Sequence, residues 1–229
     1  DVLQRLKCQD HGDDVDHFDN TWAPISSTTV CKFTSLTAIS GFLFGYDTGI
    51  VSAALYYVSA AQNFGMTTWQ KEVFVSSCIA AAIVSALLMS ALDKHIGRKT
   101  LVLASATLFT IGALTMALCP TGSFEVMIVG RIIVGLAIGA STTISPVYVS
   151  EMAPPNIRGR LTATITAFCT GGQMIAAAVA YGLSYLDPTM SWRYMLGIGA
   201  IPSIAQIIGF SFMPESPRWL LLKGRKEKA

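Results

Sequence analysis

The chain has 229 residues, of which 52% are apolar and only 13% charged, with a mean hydropathy of +0.52 and a net charge of +2. Globular domains carry about 25% charged residues, so this chain is too poor in charge to cover a water-soluble surface, and its small net charge gives no sign of a nucleic-acid partner. At about 20 residues per crossing, the length accommodates six membrane spans with short loops.

Residues 1–32 are polar and acidic, with Asp10, Asp13, Asp14, Asp16 and Asp19 close together. They lack the basic start and apolar run of a signal peptide and the glycine and terminal glutamate of a calcium loop. They are expected to form a disordered cytosolic tail. Six apolar runs follow, at 33–58, 73–92, 101–118, 126–149, 161–184 and 192–213. Each is long enough to cross a hydrocarbon core about 30 Å thick. Helices alone satisfy their own backbone in lipid without closing a barrel, so the fold class is an all-α membrane protein. A water-soluble helical bundle is the alternative.

Lysine and arginine set the orientation. Arg5, Lys7 and Lys32 precede the first span, Lys94, Arg98 and Lys99 separate the second from the third, and Arg158 and Arg160 separate the fourth from the fifth. Arg218, Lys223, Arg225, Lys226 and Lys228 follow the sixth, so 13 of the 16 basic residues fall on one side. Lys71 and Arg193 lie on the other, at helix ends. Both termini are therefore expected in the cytosol.

Away from the span ends only two charges lie inside the spans, Asp47 in the first and Arg131 in the fourth. A charge at mid-bilayer costs about 2.5–3.5 kcal/mol on insertion scales, so each must face a cavity or a partner. Three-helix inverted repeats, common in transporters, would make spans one to three and four to six the two repeats. Asp47 and Arg131 then stand in corresponding helices, and both helices are glycine-rich (Gly41, Gly45, Gly49; Gly130, Gly135, Gly139), which allows close approach. The pair reads as a proton switch, because a carboxylate beside a guanidinium holds its proton less tightly than one alone in a dry pocket. A static salt bridge that only ties the bundle is the other reading.

The five cysteines, Cys8, Cys31, Cys78, Cys119 and Cys169, form no CxxC pair and suggest neither a disulfide framework nor a metal site. Paired carboxylates, a nucleophile–base pair and a phosphate loop are all missing from the pattern, so neither an enzyme nor a cofactor is expected.

From about residue 33 onward the sequence resembles the sugar porter family of the major facilitator superfamily. Residues 146–160, PVYVSEMAPPNIRGR, are similar to the family's PxYxxExxPxxxRG loop, followed by GGQ at 171–173 and PESPRWL at 214–220. Upstream stand Gly130-Arg131 and GFLFGYDTG at 41–49. VSS at 75–77, SAL at 85–87 and SWRYMLG at 191–197 are most like the proton–myo-inositol cotransporters. Proton-linked hexose symporters and facilitative carriers are the neighbouring alternatives, although facilitative members commonly lack an acid at the Asp47 position.

The resemblance implies a set of roles. Asp47 would be the proton-coupling acid and Arg131 its partner. Gln173 would hydrogen-bond substrate hydroxyls, an amide offering one acceptor and two donors, or else tie two helices together. Phe44 would line the cavity or simply pack. Asp93, Arg98, Glu151, Arg158, Glu215 and Arg218 would form a cytosolic charge network of exposed, individually weak pairs that opens and closes, or would merely set topology. Met89 departs from the family, standing where a glycine begins the loop pattern after span two, which puts close helix contact there in doubt.

The implied architecture is the amino-terminal half of a major facilitator fold, with residues 33–213 forming the six-helix domain and 214–229 the start of a cytosolic linker. A complete porter has twelve spans, so these six are expected not to transport alone. The parent would be a plasma-membrane proton symporter for myo-inositol or a related polyol. A non-transporting sugar sensor or regulatory half-protein is the competing expectation.

Overall fold

The computed structural model describes residues 27–60, 64–93, 95–153, 157–215 and 219. Every regular element among them is an α-helix: α1 Ser27–Val58, α2 Thr68–Leu92, α3 Arg98–Ala117, α4 Phe124–Met152, α5 Arg158–Leu183, α6 Pro188–Ile198 and α7 Ala200–Ser211. Six segments are long and apolar enough to cross a membrane, with α6 and α7 together supplying the sixth.

Helix starts run ahead of the apolar pattern where polar residues can serve the first turn. Thr67 accepts a hydrogen bond from the Gln70 backbone N–H while the Gln70 side chain accepts one from the Thr67 N–H at 2.9 Å, a capping box that starts α2 before its apolar run. α1 begins at Ser27, so the last residues of the expected tail are helical; residues 1–26 and the linker from 220 onward lie outside the described residues. The sixth span is split at Gly199. Pro202 has no N–H to give the Ile198 carbonyl and its ring crowds it.

The packing interleaves the two halves. α1 packs most extensively on α5 and α4 on α2, while α3 packs on α4 and α7. The first helix of each three-helix set thus lies against the second helix of the other set. This corrects the expectation that the glycines of α1 and α4 serve the approach of those two helices. A Cβ on Gly45 would collide with the Cys169 carbonyl of α5, and one on Gly139 with the Ala82 carbonyl of α2.

One large apolar core runs through the bundle around Tyr46, Phe74, Phe109, Met127, Trp192 and Met195. A second, of Leu101, Val102, Ile144, Tyr148, Phe210 and Met213, sits toward the end that carries Arg98 and Glu151, called the charged end below. Met89 packs against this second core. Outward, α2 and α5 expose Leu87, Leu88 and Met174, a surface suited to lipid or to another apolar partner.

Candidate functional site

Asp47 and Arg131 meet in the interior. An Arg131 terminal nitrogen donates to Asp47 Oδ1 at 2.9 Å, and the residues are only 5% and 3% exposed. Two charges that would each be costly in a bilayer offset one another here, and removal of either would strand the other, at a cost of about 3–5 kcal/mol. A third group completes the arrangement. The guanidinium carbon lies 5.1 Å from the ring centroid of Phe74, a fully buried residue of α2, within range for a cation–π contact. Arg131 Nε finds no hydrogen-bond acceptor among the described residues.

The pair borders a cavity of about 450 Å³ between α1, α2 and α4, lined among others by Phe44, Thr48, Val75, Cys78, Ile83 and Thr142. This volume lies within the range of small-molecule sites, about 300–1,000 Å³. Phe44 is 38% exposed and also borders a second cavity of about 210 Å³, nearer the charged end, where Ser40, Ser141, Ser145 and Thr166 present hydroxyls. The structure therefore brings together Asp47, Arg131 and Phe44. Gln173 lines neither cavity; it is exposed on α5, with its backbone against Gly49 of α1.

A polar contact that the sequence reading passed over lies deeper. Gln206 of α7, 1% exposed, donates to the Ser40 hydroxyl of α1. Nearby, the Thr110 and Ser203 hydroxyls pair at 2.8 Å and join α3 to α7. An amide in an apolar run was a visible signal for Gln206. Nothing in the pattern marked Phe74, because a phenylalanine in a membrane span is ordinary.

At the charged end Arg98 bridges two carboxylates, Glu151 at 3.1 Å and Asp93 at 3.3 Å, and also donates to the Asp93 carbonyl at 2.6 Å. Glu215 accepts from the Lys99 backbone N–H at 2.9 Å, placing a carboxylate at the positive N-terminus of α3. A side chain on Gly97 would strike that carboxylate. Tyr148 donates to the Pro214 carbonyl at 2.9 Å. Two expectations need correction. The Arg98–Glu151 pair is buried, with side chains 8% and 5% exposed, and Asp93 is only partly exposed at 24%. Arg158 is exposed at the start of α5 and joins none of the ion pairs among the described residues. Arg218 lies outside the described residues.

The family described as "Sugar (and other) transporter" matches residues 33–229. The chain is 46% identical over 193 residues to the proton myo-inositol cotransporter of Homo sapiens, covering 84% of this chain and 29% of that protein. It is 39% identical over 202 residues to myo-inositol transporter 2 of Schizosaccharomyces pombe, covering 88% and 36%. The xylose transporter XylE from E. coli, in a partially occluded inward-open conformation, superposes with a TM-score of 0.79 at 27% identity, covering 87% of this chain and 53% of that one. The chain thus spans about a third of the length of the curated relatives it matches.

Proposed function

This chain belongs to the sugar transporter family of the major facilitator superfamily, and from that premise we propose that it forms the first six-helix half of a proton-coupled carrier of myo-inositol or a related polyol. The observation that carries the reading is the buried Asp47–Arg131 pair beside the 450 Å³ cavity. The names of the relatives support the substrate class and the coupling.

In this reading the pocket is electrically balanced while Asp47 is ionised and paired. A proton delivered to the carboxylate leaves Arg131 without its counter-charge, so protonation and the packing of the bundle are energetically linked. Phe44 offers an apolar face to a polyol ring, and Gln173 its amide to hydroxyls from the exposed face of α5. The charged-end network of Asp93, Arg98, Glu151 and Glu215 holds that end of the half together as a rigid body, while Arg158 serves chiefly as cytosolic surface charge. The charged end faces the cytosol, as the positive-inside rule requires, and the plasma membrane is the proposed location. A second six-helix half supplies the rest of the substrate site.

A sugar substrate is the second reading, favoured by the structural likeness to a xylose transporter. Uptake of labelled myo-inositol against labelled glucose, by the complete protein and at two pH values, separates the two. Accumulation of neither solute, or accumulation indifferent to the proton gradient, would overturn the proposal.

A further inference from the structure

When Asp47 takes up a proton, its carboxylate becomes a neutral acid and a guanidinium is left inside the bilayer. An unpaired buried cation is expensive, and the protonated state would be out of reach unless something else holds Arg131.

We infer that the ring of Phe74 is that second holder, a positioning residue that receives the Arg131 guanidinium when Asp47 is protonated and so sets the pH at which coupling occurs. The inference rests on the coupling reading. Phe74 is fully buried and Arg131 Cζ already lies 5.1 Å from its centroid. The ring is not among the residues that line the cavity, whereas Arg131 is, as are Val75 and Cys78 of the same helix as Phe74, so Arg131 meets both the cavity and the ring. Only one terminal nitrogen of Arg131 is engaged by Asp47, and Nε has no acceptor among the described residues. The cation is thus lightly tied by hydrogen bonds and backed by a desolvated aromatic face, where cation–π attraction is at its strongest.

The titratable neighbours leave room for this role. From α2 the Cys78 thiol faces the pair. From α1, Tyr46 adjoins Asp47, and its hydroxyl is already donated to the Met195 carbonyl at 3.0 Å. α3 carries its charged groups, Arg98 and Lys99, at the charged end, and Cys169 of α5 lies beside Gly45, toward that end. No second anion among these groups stands ready to replace Asp47.

The ring favours the protonated state by the amount that its contact with the guanidinium tightens once Asp47 lets go of it. Phe74→Leu removes the aromatic face at similar bulk. Its pH profile for labelled myo-inositol uptake by the complete protein should move toward lower pH by about 0.5–1 unit, a fraction of a full desolvated cation–π contact because part of that contact is already made in the paired state. Phe74→Trp should restore the wild-type midpoint or exceed it. Infrared titration of the protonated-carboxyl band that Asp47→Asn abolishes gives the same midpoint without transport, which covers variants that bind protons but no longer cycle. A Phe74→Leu midpoint equal to that of wild type, by either readout, overturns the role of Phe74 alone. A wild-type protein whose uptake ignores pH, and whose spectrum has no such band, overturns the coupling reading and this inference with it.

Discussion

The backbone of Gly45 lies so close to the carbonyl oxygen of Cys169 that no side chain fits between them. α1 and α5 are therefore held at backbone contact near the middle of their length. Gly45→Ala should force the two helices apart and lower stability by about 1–3 kcal/mol or more, as overpacking does. Gly182→Ala, where a Cβ would meet nothing within 4 Å, should be neutral or gain up to about 1 kcal/mol from helix propensity. Thermal unfolding of the purified variants in one detergent compares them directly.

Asp47→Asn should abolish uphill, pH-driven uptake while leaving exchange of labelled for unlabelled substrate partly intact. The amide keeps the shape of the carboxyl but cannot carry the proton. Full accumulation under a proton gradient in this variant would remove Asp47 from the coupling step.

Arg98→Met should destabilise the charged end by about 3–5 kcal/mol, since it takes the guanidinium away from two carboxylates, Glu151 and Asp93. Raising the salt concentration should change the wild-type stability little, because buried pairs are weakly screened. A surface network would behave in the opposite way, with a small mutational effect and a clear salt dependence.

Gln173→Ala should weaken substrate affinity by about 1–3 kcal/mol if its amide meets substrate hydroxyls, the cost of leaving polar partners unpaired. Equilibrium binding of labelled myo-inositol to the complete protein is the measurement. Unchanged affinity would restrict Gln173 to packing against Gly49.

Gln206→Leu should cost about 1–3 kcal/mol by leaving the Ser40 hydroxyl without its donor. The double variant Gln206→Leu with Ser40→Ala should recover most of that loss, because removing both partners of a buried hydrogen bond can be nearly neutral. Melting curves of the two single variants and the double variant close the cycle.

The parts of this structure written plainly in the chain are those where chemistry contradicts its surroundings. Asp47 and Arg131 stand out because a charge in an apolar run demands a partner, and the six spans stand out because lipid leaves the backbone few choices. Glycines announced close packing yet not its target, since a missing side chain says nothing about which carbonyl will fill the space. Burial of the Arg98–Glu151 pair was not legible, because two residues so far apart in the chain meet only in the folded bundle. The break at Gly199 was readable in hindsight from Pro202, whereas Pro146 lies inside α4 without ending it. Phe74 could not be singled out before the guanidinium was seen above it.

The interleaving of α1 with α5 and of α4 with α2 bears on how the chain is made. α1 enters the bilayer long before its chief neighbour exists, because residues 59–183 must be synthesised first. At roughly 5–20 residues per second, that takes on the order of ten seconds. For the first part of this interval, until residue 131 is made, Asp47 stays in an incomplete bundle without Arg131, so the insertion machinery or a chaperone in the membrane must shelter an acidic helix until translation reaches its base.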